Sequence, residues 1–365
     1  MKVALLSSLS SIHTTRWANI FAEKGHDVYV ITCHARGNDS LSPRIKVYQL
    51  PYQSPLGYYL NTCALQKILK EIKPDILNAH YASGYGTLAR LCSFHPYVLS
   101  VWGSDVYDFP YKSFFHKYIL KKNLLAADIV CSTSHVMSAQ TKKVCPQLEE
   151  IPITPFGVDT NIFKPMPQFI DSQYITIGTV KTLAPKYGID TLLKAFACAK
   201  NTIKKVDIET SSRLRLLIVG GGPQKKELND LAQNLGINEQ CIWAGQIPHA
   251  EVPRYLNQLD IYVALSKLES FGVAIIEASA CGIPVVVSNV GGLPEVVKNK
   301  ETGLIVEKDN PQQAANALIE FICNPHLRHK IGKKGREYVK NTYEWDKCAA
   351  TMEKIYKKII SPSNP

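Results

Sequence analysis

The sequence predicts an α/β protein built from two doubly wound parallel sheets. Three observations carry this. Short, continuously apolar, β-branched runs alternate with helical patterns along the chain, as strands buried on both faces of a parallel sheet require. The rhythm breaks once, between Pro152 and Gln173. There Pro152, Pro155, Pro165 and Pro167 crowd a stretch of weak periodicity, which reads as a domain linker. The 365 residues, 45% of them apolar, are enough for two cores.

Taken in order, the first domain (1–165) is expected to have strands at Val3 to Leu6, Val28 to Thr32, Ile76 to Ala79, Tyr97 to Val101 and Ile129 to Ser132. Helices run over Arg16 to Lys24, stopped by Gly25, and Leu60 to Ile72, stopped near Pro74. The second domain (170–343) restarts the pattern with strands at Tyr174 to Val180, Leu214 to Val219, Cys241 to Ala244, Ile261 to Ala264, Val285 to Ser288 and Leu304 to Val306. A last helix, about 345–362, is expected to pack back on the first domain. Two such sheets facing each other leave a cleft, and open α/β sheets bind ligands beyond the carboxyl ends of their strands.

The net charge is +11 and the pI about 9.0. That balance suits an anionic substrate, an anionic membrane face or nucleic acid. No helix-turn-helix, RNP-like or Arg-rich pattern supports nucleic acid. The ten cysteines form no C-x-x-C, and several (Cys33, Cys131, Cys198, Cys281) sit in apolar patterns, as free thiols in a reducing cytosol would. Neither metal-ligand spacing nor a D-x-D occurs. The longest apolar runs are too short to span a bilayer. Met1 to Leu6 reads as a core strand rather than a signal peptide.

The stretch LESFGVAIIEASACGIPVVV, residues 268–287, places two carboxylates beside an apolar strand. Glu269 falls in the loop after Ile261 to Ala264, and Phe271 or Gly272 opens a helix that carries Glu277 and ends near Cys281. The neighbours of Glu277 are Ile275, Ile276, Ala278 and Ala280, and a carboxylate among them needs a partner. Roughly 12 Å of helix separates the two carboxylates. The free N–H groups of Phe271 and Gly272 favour an anion between them. A solvated acidic first turn is the plainer alternative. Two further glycine turns end strands and enter helices: VGGGP at Val219 to Pro223, containing Gly221, and NVGGLPEVV at Asn289 to Val297, containing Gly292 and Leu293.

Together these residues resemble the E-x7-E region of the family 4 retaining glycosyltransferases, which have the GT-B fold. Glu269-Ser-Phe-Gly-x4-Glu277-Ala is followed by Gly282-x-Pro284-Val. In chain order, Val219 to Pro223, Trp243-Ala-Gly245, Leu259-Asp260-Ile261, Gly291 to Glu295 and Thr302-Gly303-Leu304 match as well, and Phe156-Gly-Val-Asp159 with Phe163-Lys-Pro165 resembles the inter-domain segment. The resemblance implies an acceptor-binding first domain and a donor-binding second domain. Glu269 would hold donor-sugar hydroxyls beside the Phe271 and Gly272 amides, and Glu277 the ribose. The Gly292 and Leu293 amides would face the diphosphate, and the base would lie near Gly245 to Ile247.

The chain also departs from the family. Where the family has R-L-x-P-x-K-G, it reads VKTLAPKYGID: Thr182 stands for Arg and Tyr187 for Lys, with Lys181 and Lys186 one residue earlier. Cations are needed there to stabilise a leaving diphosphate, and Lys181 and Lys186 are the expected ones. In SVWGSDVY, Trp102 stands where the family often has His, and Phe156 replaces Asn. Candidates to act on the acceptor side are His80 and Asp105, with turn capping the alternative for Asp105. His13 and Arg16 in SSIHTTRW are candidates to face a phosphate, with Thr14 or Thr15 capping the helix. Residues 107–122, YDFPYKSFFHKYILKK, interleave aromatics with lysines. They suit an anionic membrane interface or, equally, an aromatic face turned to the core.

The resemblance thus implies a cytoplasmic, retaining, metal-independent transferase without a cofactor. It would move a sugar from a nucleotide-sugar, by family frequency a UDP-sugar, to a glycan or lipid-linked acceptor. Peripheral contact with the inner face of the plasma membrane is open to it, and no nucleic acid is expected. A nucleotide-sugar epimerase of the same fold and a non-catalytic binder are the alternatives.

Overall fold

Strands form where the β-branched runs predict them. In the computed structural model, which describes residues 1–37 and 39–361, the chain divides into two compact units. One is Met1–Phe156 together with the C-terminal helix, and the other is Gly157–Glu344.

The first unit holds β1 (Lys2–Leu6), β2 (Asp27–Thr32), β3 (Lys46–Gln49), β4 (Ile76–His80), β5 (Tyr97–Val101) and β6 (Ile129–Ser132). They form one parallel sheet in the order β3-β2-β1-β4-β5-β6. β4 and β5 are buried throughout, as central strands covered on both faces must be. β3 was not expected. It is a short edge strand with no buried residue, so it lacks the apolar run that marks its neighbours. The first helix, Ile12–Glu23, starts before the expected Arg16, and its N-cap position is Ser11, without a side-chain capping bond, rather than a threonine. Thr14 and Thr15 are buried inside it, and the Thr14 hydroxyl bonds the Ser7 hydroxyl at 2.7 Å.

The C-terminal helix Trp345–Ile360 buries Trp345, Cys348, Ala349, Met352 and Tyr356, a helical stripe spaced by three and four. Residue 362, the expected end of this helix, lies outside the described residues. The stripe closes on this unit. Trp345 meets Trp17 edge-on at 5.0 Å, Asn78 donates to the Tyr356 hydroxyl at 2.6 Å, and His26 pairs with Glu353 at 2.8 Å.

The second unit holds β7 (Ile175–Val180), β8 (Leu214–Val219), β9 (Cys241–Gly245), β10 (Ile261–Ala264), β11 (Val285–Ser288) and β12 (Gly303–Val306). The parallel order is β12-β11-β10-β7-β8-β9, which repeats the first unit's topology. The linker belongs to this unit from Gly157 on, earlier than the expected boundary at 165. Hydrogen bonds hold it there: Val158 N–H to the Tyr343 carbonyl at 2.8 Å, Arg336 to the Phe163 carbonyl at 3.1 Å, and Asn257 to Met166 N–H and the Lys164 carbonyl. Among the described residues, no helix is long and apolar enough to cross a membrane.

Candidate active site

A doubly wound sheet offers its ligand crevice where the strand order reverses, at the carboxyl ends. In the second unit that point lies between β7 and β10. Lys181 is the first residue after β7, and Glu269 lies in the loop after β10. The two meet. Lys181 Nζ lies 2.6 Å from Glu269 Oε2, with 11% and 14% of the side chains exposed. Burial alone would push the Lys181 ammonium pKa down, but Glu269 beside it reverses the effect and holds it above the ordinary lysine value. The result is a charged lysine held against Glu269 and largely shielded from water.

The loop after β7 is tied to the Glu269 loop. The Lys186 carbonyl accepts from Lys267 N–H at 2.7 Å and Leu268 N–H at 3.3 Å. Tyr187, in the position where the family has lysine, supplies a ring to both cations: Lys181 Nζ is 4.9 Å and Lys186 Nζ 5.0 Å from its centre, within cation–π range. The Lys186 side chain is exposed.

Beside Lys181, at the ends of β7, β8 and β9, is a cavity of about 480 Å³ lined by Val180 to Thr182, Gly220 to Gly222, Gln246 and Ile247. Gly245 N-terminal to it closes the strand: its carbonyl accepts from Gly220 N–H at 2.8 Å. Gly220 is required. Its φ is +143°, and a Cβ there would sit 1.9 Å from the Lys181 carbonyl oxygen. The glycine turn therefore lets two strand ends close on each other and leaves space above them.

Three residues after Glu269, Gly272 is the N-cap residue of the helix Val273–Ala280. Gly291, at φ +51°, would place a Cβ 1.8 Å from the Glu269 carbonyl, so this turn packs directly under the Glu269 loop. The expected diphosphate amides have protein partners in this arrangement. Gly292 N–H donates to the Glu269 carbonyl at 3.1 Å, and Leu293 N–H to the Val290 carbonyl at 3.1 Å. Phe271 is buried against Tyr343, ring centres 5.6 Å apart. Glu277 is 5% exposed, and its Oε1 lies 3.1 Å from His249 Nε2. Its buried carboxylate thus has the partner that burial demands.

Two family models match the chain. The one described as "Glycosyl transferases group 1" covers residues 163–338, and "Glycosyl transferase 4-like" covers residues 2–134. The chain belongs to the family 4 glycosyltransferases. The transferase is 25% identical over 380 residues to N-acetyl-alpha-D-glucosaminyl L-malate synthase of Bacillus anthracis, covering 96% of this chain and 94% of the relative. It is 28% identical over 213 residues, 54% of this chain and 53% of the relative, to a GDP-mannose-dependent alpha-(1-6)-phosphatidylinositol monomannoside mannosyltransferase of Mycobacterium tuberculosis. Sucrose-phosphate synthase of Thermosynechococcus elongatus shares its fold with a TM-score of 0.83 at 22% identity, covering 100% of both chains. Anabaena HepE, solved with UDP and glucose, does so with a TM-score of 0.77 at 18% identity, covering 97% and 99%. The fold is GT-B.

In the first unit of the transferase, the strand order reverses between β1 and β4. Ser7 after β1 meets His80 at the end of β4, Oγ to Nδ1 3.1 Å. The family departures gather here. Trp102 packs on His80 at 4.4 Å and on Phe156 at 5.3 Å, and Phe156 stacks on His13 at 4.1 Å and 20°. The two positions where the family often has His and Asn carry Trp and Phe here, and the two rings touch each other. Spacing alone could not show this, because Trp102 and Phe156 lie far apart in the chain. Arg16 is half-buried in the first helix, one turn on from His13.

The acceptor-side candidates are recast by their surroundings. His80 is 1% exposed, and burial, then the nearby His13, push its pKa down to about 3. Such a ring stays neutral and is a poor proton acceptor near neutral pH. Asp105 is fully buried, and its carboxylate accepts from Ala82 N–H at 2.8 Å, Gly103 N–H at 2.7 Å and Trp102 N–H at 3.2 Å. It braces the turn that presents Trp102. Sequence reasoning missed His249 and the part played by Tyr187. A lone His and a loop Tyr carry no spacing signal.

Proposed function

We propose that the transferase moves a sugar from a nucleotide-sugar, UDP-linked in the default reading, onto a glycan or lipid-linked acceptor with retention of configuration and without a metal. One observation carries the reading: the buried Lys181–Glu269 pair at the second unit's switch point, beside a glycine-lined cavity. A fixed cation next to a carboxylate suits a substrate that is anionic at one end and hydroxylated at the other. The UDP and glucose in Anabaena HepE and the sugar-transferring relatives support the same substrate class.

In this reading Glu269 holds donor-sugar hydroxyls and Glu277 the ribose hydroxyls. The helix start at Phe271 and Gly272 faces the diphosphate, and the base lies over Gly245 to Ile247 beside Gly221. Lys181 and Lys186 stabilise the charge that gathers on the leaving diphosphate, in place and without reorganisation. The acceptor oxygen bonds the anomeric carbon as the bond to the diphosphate oxygen breaks. The acceptor proton passes to the leaving phosphate on the same face. That route asks for no protein base, which agrees with a neutral, buried His80 and an Asp105 already engaged by backbone amides. The two lysines also supply the positive charge that a metal would otherwise bring.

The first unit holds the acceptor, with His13, Arg16 and Trp102 at the carboxyl end of its sheet. An acceptor carried on lipid would make this a peripheral protein at the inner face of an anionic membrane. The test is acceptor-dependent release of nucleoside diphosphate, with the product's anomeric configuration read by proton NMR. Retention with a new glycosidic bond supports the reading. An inverted product refutes retention, and an epimerised nucleotide-sugar released without acceptor refutes transfer.

A further inference from the structure

Residues 109–125 present a surface that the transfer chemistry does not use. The helix Phe114–Leu125 turns Leu120, Asn123 and Leu124 inward. Its outward face is apolar too: Phe114 is 79% exposed and Phe115 73%, with Tyr111, Tyr118 and Leu125 exposed beside them. Phe115, Tyr118 and Leu125 are spaced by three and seven, so they form one stripe along the helix, and Tyr111 ends the short turn that precedes it. Lysines border it. Lys112, Lys117 and Lys122 are exposed and Lys121 half-buried, and Lys122 Nζ lies 4.9 Å from the Tyr118 ring centre. No acidic residue occurs between Asp108 and Asp128. A helix on a folded domain ordinarily turns polar residues to water, and a contiguous aromatic patch marks a contact surface.

We propose that this face docks the protein on an anionic lipid bilayer, with its aromatic rings in the headgroup layer and its lysines on the lipid phosphates. Charge complementarity selects the occupant. Exposed aromatic rings with apolar bodies settle at the membrane–water interface, and lysines with no carboxylate among them are drawn to an anionic leaflet. The footprint extends beyond one helix. Leu56, Tyr59 and Leu60 are more than half exposed on and beside the short helix Gly57–Leu60. The helix Gly84–Cys92 packs against both that helix and Phe114–Leu125. The inference deepens the functional reading by naming the surface on which a lipid-linked acceptor would be met, and it can be tested without catalysis.

The experiment is co-sedimentation of the full chain with vesicles of phosphatidylcholine alone and of phosphatidylcholine with about one part in three phosphatidylglycerol. Binding is expected to the anionic vesicles, falling as salt screens the lysines. Phe114→Ser/Phe115→Ser should lower the partition by about tenfold or more. Lys117→Glu/Lys122→Glu should abolish the preference for anionic lipid. Both pairs are surface substitutions, and an unchanged melting temperature of each variant shows that the fold is intact. Absence of binding, equal binding by the variants, or equal binding to neutral vesicles overturns the proposal. So does a wild-type dimer that the phenylalanine pair converts to monomer, which would assign the face to a second copy. Vesicle binding without any nucleotide-sugar binding would sink the transfer reading and leave this one standing.

Discussion

Replacing Lys181 with Met, or Glu269 with Gln, removes half of an ion pair that is nearly dry. At the observed 2.6 Å and an effective dielectric of 20, the attraction is about 6 kcal/mol. Desolvation of both groups offsets much of this. Losing one partner from a fully buried pair costs about 3–5 kcal/mol, because the other charge is stranded. With 11% and 14% of the side chains exposed, water reaches the survivor, and about 2–3 kcal/mol is expected for either single variant. The double variant strands nothing, so it should be less destabilised than the sum, with a coupling of about 2 kcal/mol. Urea unfolding of the four proteins measures this. Transfer by Lys181→Met should also fall by about 10²–10³-fold, as for loss of one preorganised group facing developing charge. Single variants within about 0.5 kcal/mol of wild type, with additive effects, would refute the pairing.

Three further outcomes are expected. His249→Ala should raise the donor KM about tenfold with little change in kcat, because the Glu277 carboxylate loses its 3.1 Å partner and its aim, a ground-state effect that steady-state kinetics separates; an equal fall in kcat would place His249 in the chemical step. His80, held down at about 3 when folded, stabilises the folded state fully above its unfolded value of about 6.5 and loses that stability as pH falls toward 3. His80→Gln should therefore flatten the dependence of unfolding free energy on pH between about pH 6 and 4 by up to about 1.4 kcal/mol per unit, and an unaltered slope would contradict a buried neutral ring. Gly291→Ala forces a Cβ to within 1.8 Å of the Glu269 carbonyl at φ +51°, so it should cost about 2 kcal/mol or more and reduce donor binding by shifting the Glu269 loop; a melting temperature equal to wild type would contradict it.

Much of the fold was legible because parallel strands buried on both faces leave continuous apolar runs. β4, β5 and β10 show this plainly, with every residue buried. β3 was illegible for the converse reason: Lys46–Gln49 pairs along one edge and buries nothing. The helix start at Ile12 was misread because Thr14 and Thr15 look like caps, yet tertiary packing buries both. In the site, Lys181, Glu269 and Glu277 could each be named from local pattern. That Lys181 and Glu269 touch could not, since β7 and β10 are sequence-distant and become neighbours only through the strand order. The same holds for the ring cluster of His13, His80, Trp102 and Phe156. Its members come from four segments, and substitution by aromatics there reads as loss of a polar contact until the packing shows a gain.

The central claim is that the second unit binds a nucleotide-sugar across Lys181, Glu269 and Glu277. Calorimetric titration of wild type and Glu277→Ala with UDP, GDP, ADP, NAD and the matching sugar nucleotides tests it most directly. The account predicts that one nucleoside diphosphate and its sugar bind the wild type, with UDP the expected one, and that Glu277→Ala loses about tenfold or more in affinity while keeping its fold. Binding of NAD alone, binding of no nucleotide, or wild-type affinity in folded Glu277→Ala would contradict it.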